Sequence, residues 1–224
     1  MKTKHNFAPP PRLFKRTFLF PGSFNPPGNH HVAIVSALAQ ITDVDEIRIV
    51  PIGHYGAKRS FVDGALRLQM VQAAFAGITD RIVIRDDKLA SYPSNWGMQL
   101  ELVTEPQIDL MPRFPGSLAM PILLRDVWHV IGADNVSKIR TEWNEGDRLW
   151  SECSWLIVSR VGHELPEPLP PNHRVLDGNG ICAGESSTAI VARIEAGDEA
   201  WRSLVPPAVA DIITAHNLYR RTDQ

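Results

Sequence analysis

The sequence has little cysteine, no long apolar run and almost no excess of charge. Its two cysteines, Cys153 and Cys182, lack the spacing of metal ligands. No apolar stretch approaches the ~18 residues of a membrane span, and no signal peptide is visible, so we expect a protein of the reducing cytoplasm. The formal charge of −2 creates no broad field, which argues against a general binder of nucleic acid or membrane surfaces.

The chain is long enough to bury a sizeable core. With 224 residues, 44% of them hydrophobic, it predicts a single domain over residues 17–224. Residues 1–16 are rich in charge and proline, which is typical of an arm outside the domain.

Apolar strands alternate with amphipathic helices along most of the chain. The segments RTFLFPGSF, DEIRIVPIG and DRIVIRD predict three strands, and HHVAIVSALAQI and VDGALRLQMVQAAFAG predict the helices between them. VWHVIGAD and CSWLIVSRVG predict two more strands separated by helical segments, and two helices separated by VPP follow. Residues 104–126 have no clear period and predict an irregular excursion. This order predicts an α/β fold, a Rossmann-like parallel sheet with helices on both faces and a helical C-terminal portion.

The turn GSFNPPGNHH follows the first predicted strand and opens the first predicted helix. Ligands of parallel sheets bind where such a turn meets a helix N-terminus. Gly22 allows the backbone to pass close to a ligand, and His30 and His31 add imidazoles beside the helix amides. The turn therefore predicts a polyphosphate site, the alternative being an ordinary turn with surface histidines.

Several segments in a fixed order resemble one family. GSFNPPGNHH resembles the first signature of the adenylyltransferases that join ATP to nicotinamide or nicotinate mononucleotide, members of the HxGH-type nucleotidylyltransferases. VPIGHYGAKRSFVDGALRLQMVQAAF resembles the family's second strand and helix, while VIGADNVSKIRTEW and LIVSRVG resemble its GxD and RxG elements. SSTAIVARI through LVPPAVADIITAHNLY resembles its C-terminal signature, so the resemblance covers residues 17–219.

The resemblance implies a reaction and its small-molecule partners. The 5′-phosphate of the mononucleotide attacks the α-phosphorus of ATP, which is bound with Mg²⁺, and a dinucleotide and pyrophosphate form. Catalysis then depends on positioning and on cations around the phosphates. No nucleic acid or membrane partner is implied, and the family permits homo-oligomers.

The resemblance also assigns the site residues. His31 and Lys58 are the expected catalytic contacts, and no protein metal ligand is expected. The expected ATP contacts are Gly22, Ser23, Phe24, Asn29, His30, His31, Gly132, Asp134, Ser186, Ser187 and Thr188. The expected mononucleotide contacts are Ser23, Asn25, Lys58, Arg67, Trp96 and Arg160.

Several of these assignments have a structural alternative. Lys58 and Arg67 could be surface basic residues. Asp134 and one of the hydroxyls over 186–188 could serve only as helix caps. Trp96, assigned to stack on the pyridine ring, could equally be a core residue.

The sequence departs from the family at two positions. Gly28 stands where histidine or threonine is usual, and Val191 stands where arginine is usual. Two residues after Gly28, His30 stands where many members of the family have glycine. Arg193 lies about 200° around the helix from Val191 and should point away from it.

These departures leave the function open at this point. Lys15, Arg16, Arg59 or His30 could compensate for the lost contacts. The sequence allows a working enzyme with a rearranged phosphate clamp, a degenerate member that binds nucleotide or a partner without turnover, or an enzyme with another acceptor or base. It does not decide between nicotinamide and nicotinate.

Overall fold

The computed structural model describes residues 14–53, 61–91, 93–105, 124–159, 164–178 and 186–220. These residues form one sheet of six strands, all parallel, in the order β3-β2-β1-β4-β5-β6. The strands are β1 (Phe14–Gly22), β2 (Glu46–Pro51), β3 (Ile82–Ile84), β4 (Leu124–Gly132), β5 (Ser154–Val158) and β6 (His173–Leu176). The predicted Rossmann-like parallel sheet is confirmed.

Helices follow most of the strands, and a helical portion ends the described chain. They are α1 (Asn29–Gln40), α2 (Gly64–Phe75), α3 (Asn95–Thr104), α4 (Ala133–Val136), α5 (Lys138–Glu142), α6 (Gly146–Glu152), α7 (Ser187–Glu195), a 3₁₀ helix (Glu199–Leu204) and α8 (Pro207–Ala215). Pro207 occupies the first turn of α8, as predicted, because its fixed φ suits that position.

Helices cover both faces of the sheet. Alternate residues of β1 point to opposite sides, so Phe18 and Phe20 pack with α1, α2, α7 and α8 in the largest apolar cluster. Leu19, on the other face, packs with Met98 and Leu102 of α3. The short helices α4 to α6 cover the same face beside β5 and enclose a cluster around the fully buried Trp155.

Several boundaries differ from the sequence expectation. β1 begins at Phe14, three residues before the predicted start of the domain, because 14–16 pair with β4. The prediction of an irregular segment over 104–126 is wrong at both ends, because α3 runs to Thr104 and β4 begins at Leu124. Residues 106–123 lie outside the described residues. The helix α3 and the exposed edge strand β6 were not predicted.

The strand order reverses between β1 and β4, which places a crevice beyond the carboxyl ends of these two strands. The turn from β1 into α1 and the start of α4 both lie at this edge. Within the described ranges, no helix has the length and apolarity needed to cross a membrane.

Candidate functional site

The start of α1 places His31 at the turn after β1. Its Nδ1 accepts a hydrogen bond of 3.1 Å from the backbone N–H of Gly28. Because Nδ1 is an acceptor, the neutral imidazole carries its proton on Nε2 and presents a donor there. The ring also packs 5.0 Å from the ring of the buried Phe24, which fixes its orientation. His31 is thus a positioned donor at a helix N-terminus, an arrangement that favours phosphate.

The imidazole of His30 occupies the room that a side chain at position 28 would need. A Cβ added to Gly28 would lie 2.7 Å from Nδ1 of His30 and 2.9 Å from Cδ1 of Ile190. The rings of His30 and His31 lie 3.9 Å apart between centroids. The absence of a side chain at Gly28 therefore coincides with a histidine two residues later that fills the same space.

The start of α7 carries the three predicted hydroxyls, and they have different roles. Ser186 is the N-cap, and its Oγ accepts from the backbone N–H of Ala189 at 3.3 Å, which is the plain capping role. Ser187 Oγ donates to the backbone carbonyl of Pro26 at 2.8 Å. Thr188 is exposed in the first turn. Since Ser186 and Ser187 bond to protein atoms, the first-turn amides and Thr188 are the groups of α7 that suit an anion.

The starts of α1 and α7 lie side by side. The bond from Ser187 to Pro26 joins α7 to the turn before α1, and Cδ1 of Ile190, on α7, lies 2.9 Å from the place that a Cβ on Gly28 would take. Asn29, the first residue of α1, also donates from Nδ2 to the carbonyl of Ser203 in the 3₁₀ helix at 2.8 Å. Two helix N-termini therefore approach one another beyond the end of β1.

Arg67 does not have the geometry of the predicted mononucleotide contact. Its side chain is fully buried on α2, and it donates to four backbone carbonyls, those of Ser23, Ile52, Val62 and Leu89, at 2.7–3.1 Å. Burial lowers its pKa below the usual value. Arg67 instead ties together the loops that follow the first three strands, so its influence on a ligand is indirect.

Other residues of the first turn have structural roles. The side chain of Phe24 is buried against Phe20 and Phe75, so an ATP contact from that side chain is not supported. Asn25 Oδ1 accepts from the hydroxyl of Tyr219 at 2.9 Å and from the N–H of Val62 at 3.1 Å.

Gly22 and Ser23 are the other two predicted contacts in this turn. A Cβ at Gly22 would lie 3.1 Å from the Phe24 ring, which explains the glycine by packing. Ser23 is exposed at the sheet edge, where its side chain remains compatible with the predicted contacts.

Gly132 and Asp134 lie where β4 passes into α4, as the strand prediction required. Asp134 is exposed, and its Oδ1 would lie 2.5 Å from a Cβ at Gly132, so the carboxylate covers the glycine. Asp134 Oδ2 accepts from Nδ2 of Asn135 at 3.3 Å. A side chain at 132 would displace this carboxylate.

A cavity of about 970 Å³ opens on the α3 face of the crevice. Pro21 of β1 and the end of β4 line it, together with the first residues of α3 and with Lys138 and Glu142 of α5. Its aromatic lining residues are Phe20, His129, Trp143 and Trp155. Its size lies within the range of small-molecule sites, and its aromatic lining suits a planar ring.

Trp96 is not part of this lining. It lies on α3, packs against the cluster around Trp155 and carries the guanidinium of Arg148 4.1 Å above its ring. Trp143, by contrast, lines the cavity, and it lies within the segment VIGADNVSKIRTEW that carries the GxD resemblance. That segment was the available signal, but the spacing alone did not single out its tryptophan.

Two of the suggested compensating cations lie at the wrong end of β1. Lys15 pairs with Glu46 at 2.7 Å, and Arg16 pairs with Asp126 at 2.6 Å, both near the amino end of the sheet. Six residues of strand, about 20 Å, separate Arg16 from Gly22. Neither cation can replace a phosphate ligand beyond the carboxyl end, whereas His30 is already there.

The second departure is part of the core. Val191 is 7% exposed and packs with Ile190 and Ile194 in the largest cluster. Arg193 donates to Asp198 at 2.6 Å, in agreement with the prediction that it points away from Val191.

Some predicted residues cannot be placed. Lys58, Arg59 and Arg160 lie outside the described residues. Among the residues that are described, no three side chains of His, Cys, Asp or Glu cluster in a way that could hold a metal ion.

Comparison with known proteins gives the family. Residues 19–193 match the model of the cytidylyltransferase-like family, which is well over half of the chain. The chain belongs to this family. Two relatives of this chain carry the name "Probable nicotinate-nucleotide adenylyltransferase". The one from Tropheryma whipplei is 28% identical over 199 residues, covering 89% of this chain and 97% of its own. The one from Clavibacter sepedonicus is 29% identical over 215 residues, covering 95% and 97%.

Solved structures support the fold of this family member. Plasmodium falciparum nicotinic acid mononucleotide adenylyltransferase complexed with NaAD superposes with a TM-score of 0.72 at 18% identity, covering 92% of this chain and 97% of that one. The same protein complexed with APC gives a TM-score of 0.70 at 17% identity. The six-stranded parallel sheet is therefore that of a nucleotidylyltransferase fold.

Proposed function

We propose that this chain transfers the adenylyl group of ATP to nicotinate or nicotinamide mononucleotide, releasing pyrophosphate. A 5′-phosphate oxygen of the mononucleotide forms the new bond to the α-phosphorus, and the bond from that phosphorus to the α–β bridging oxygen breaks. The pyrophosphate leaves with the electron pair of the broken bond. The names of the relatives support this chemistry, and so does the shape of the site.

The observation that carries the proposal is the junction of two helix starts. The bond from Ser187 to the carbonyl of Pro26 holds the N-termini of α1 and α7 next to each other. Each N-terminus favours negative charge, because its first-turn amides and its dipole are directed outward. A triphosphate is long enough to contact both, and the charge that develops at the α-phosphate is stabilised there.

His31 and His30 complete the phosphate site in this proposal. His31 donates from Nε2 to a phosphate oxygen, since its Nδ1 accepts from Gly28. His30 supplies the second imidazole, in the space left by Gly28. A hydrogen bond from an imidazole N–H to a phosphate oxygen is charge-assisted, because the oxygen is ionised. In this proposal the imidazole that is usual at position 28 is replaced by the imidazole of His30, so the phosphate site keeps the same number of imidazoles.

Mg²⁺ enters with ATP in this scheme. Phosphate oxygens of the triphosphate would bind the ion. The ion's chemistry is to neutralise phosphate charge during transfer. We propose that the acceptor's pyridine ring lies in the cavity against Trp143.

A pyrophosphate-release assay tests the function. ATP with Mg²⁺ and either mononucleotide should yield dinucleotide and pyrophosphate in equal amounts, and other triphosphates should give less. His31→Ala should lower turnover at least tenfold, about 1.4 kcal/mol of transition-state stabilisation. The control His216→Ala alters an exposed histidine at the end of α8 and should leave turnover unchanged.

Two results would replace this proposal. ATP that binds and protects against heat, with no product from any acceptor, would make the chain a nucleotide-binding member without turnover. Pyrophosphate released only with a different acceptor or a different triphosphate would change the substrate assignment.

A further inference from the structure

Lys138 brings a positive charge to the lining of the cavity. It is the first residue of α5, it is half-buried, and its Nζ donates to Oδ1 of Asn135, another lining residue, at 3.1 Å. The amide of Asn135 continues towards the end of β4, because its Nδ2 lies 3.9 Å from the place that a Cβ on Gly132 would take. A single amide group therefore separates the ammonium from the carboxyl end of β4, where the crevice opens.

The ammonium is directed towards this strand end and not along the surface of α5. Glu142 lies four residues after Lys138, a spacing at which opposite charges on a helix can pair. Nζ instead bonds to Asn135, three residues before Lys138, and among the described residues no carboxylate forms an ion pair with it. An ammonium has three donors, and the described residues use one of them.

The cavity gives this charge a setting in which it has a large effect. Lys138 is the only lysine or arginine among the described residues that line the cavity, and burial lowers the pKa of His129 to about 4, so that ring is neutral near pH 7. Glu142, the other charged lining residue, is exposed to solvent. A carboxylate that enters the cavity loses part of its hydration, and Lys138 supplies the charge that offsets this loss.

The ammonium also lies within reach of the proposed ring site. Trp143 caps the C-terminus of α5, the helix that Lys138 begins. Five residues of helix rise about 7.5 Å, so one pyridine ring with a substituent on its edge is long enough to contact both side chains. A ligand that stacks on Trp143 can therefore place an acidic substituent at Nζ.

We propose that Lys138 is a specificity-determining residue, whose ammonium donates to the carboxylate of nicotinate mononucleotide while the pyridine ring stacks on Trp143. This inference rests on the proposed function and concerns the choice between its two acceptors. A hydrogen bond between an ammonium and a carboxylate is charged on both sides, so it is stronger than the bond of the same ammonium to a neutral carboxamide oxygen. Lys138 thus favours the acid acceptor over the amide.

Steady-state kinetics with both mononucleotides test this role. Lys138→Met keeps a flexible, unbranched side chain and removes the charge. The acid-to-amide ratio of kcat/KM should fall roughly tenfold or more, mainly through KM for the acid, because one charge-assisted bond is lost. Lys138→Arg keeps a cation that binds carboxylates, so its ratio should stay within about threefold of the native value.

Arg140→Met is the matched control. Arg140 lies on the same helix, pairs with Asp147 at 2.9 Å and is not among the lining residues, so the variant makes the same change in net charge outside the cavity. Its acid-to-amide ratio should equal that of the native protein. An equal fall in Lys138→Met and Arg140→Met would show a general effect of charge and overturn the inference. An unchanged or higher ratio in Lys138→Met would overturn it too.

Calorimetric binding of each mononucleotide measures the same preference without turnover. Kd for nicotinate mononucleotide should rise roughly tenfold in Lys138→Met, and Kd for nicotinamide mononucleotide should change little. If the native protein shows this preference but forms no dinucleotide from either acceptor, the proposed function fails and the binding role of Lys138 stands. If it forms dinucleotide but neither the ratio nor Kd depends on Lys138, only the inference fails.

Discussion

The hydroxyl of Ser187 donates a 2.8 Å hydrogen bond to the backbone carbonyl of Pro26, across 161 residues of sequence. This bond makes one site out of two segments that are distant in sequence, the turn after β1 and the start of α7. Ile190, one turn further along α7, then contacts the α1 side at Gly28. The phosphate site of the proposed adenylyltransferase depends on this junction.

The first prediction exchanges Gly28 and His30. His30→Gly alone should lower turnover at least tenfold, because it removes an imidazole worth about 1.5–3 kcal/mol to a phosphate. Gly28→His alone should lower stability, since its Cβ would meet the ring of His30 at 2.7 Å. The double variant Gly28→His/His30→Gly opens that space, and the end of the Ile190 side chain can shift.

Turnover and thermal unfolding of all three variants check this prediction. The double variant should recover most of the activity lost in His30→Gly and should unfold at a higher temperature than Gly28→His. A double variant that is no better than the worse single variant would mean that the two positions do not share one role.

The second prediction concerns Arg67. Arg67→Ala leaves four backbone carbonyls without their donor and should lower the free energy of unfolding by about 3 kcal/mol or more. Arg67→Lys keeps the charge but cannot span all four carbonyls, so it should recover only part of that loss. Denaturant unfolding measures both variants. A stable Arg67→Ala protein with a raised KM for the mononucleotide would instead support the contact expected from the sequence.

The third prediction compares two tryptophans. Trp143→Ala should raise KM for the mononucleotide roughly tenfold, because an aromatic wall of the cavity is lost. Trp96→Ala is the matched control: it removes a tryptophan outside the lining and should leave KM nearly unchanged. Equal effects of the two variants on KM, or a larger effect of Trp96→Ala, would instead support stacking of the pyridine ring on Trp96, as expected from the sequence.

The fourth prediction uses the pKa of His129. Burial lowers this pKa from 6.5 to about 4 in the folded protein, so the unfolded chain binds the proton more readily between these values. The free energy of unfolding is therefore unaffected by this group above about pH 6.5. It falls by about 3 kcal/mol as the pH is lowered towards 4. His129→Phe should lose less stability over this range when unfolding is followed by denaturant titration. Parallel curves for the two proteins would show that burial does not lower the pKa of His129.

The sequence allowed the sheet to be predicted because its strands are nearly continuous apolar runs between amphipathic helices. It did not reveal β6, since His173–Leu176 is short, mostly exposed and carries no apolar period. It also missed α3, whose buried face has only Met98 and Leu102. Edge strands and short helices gain their stability from tertiary contacts, which a local pattern does not contain.

The candidate site was predictable in its position but only partly in its contacts. The motif order placed both helix starts at one edge, and the structure brings them together. The sequence could not distinguish a basic side chain that faces a ligand from one that binds carbonyls, so Arg67 was expected to contact the mononucleotide although it is fully buried. His129, in the cavity lining, was not predicted, because a single histidine within an apolar strand has no pattern.

The central claim is that α1 and α7 hold the same triphosphate, and a structure of the protein with a non-hydrolysable ATP analogue tests it most directly. The account predicts phosphate oxygens within ~3.2 Å of Nε2 of His31 and, on the same triphosphate, of a first-turn amide of α7. A triphosphate bound at only one of these helix starts, or away from both, would contradict it.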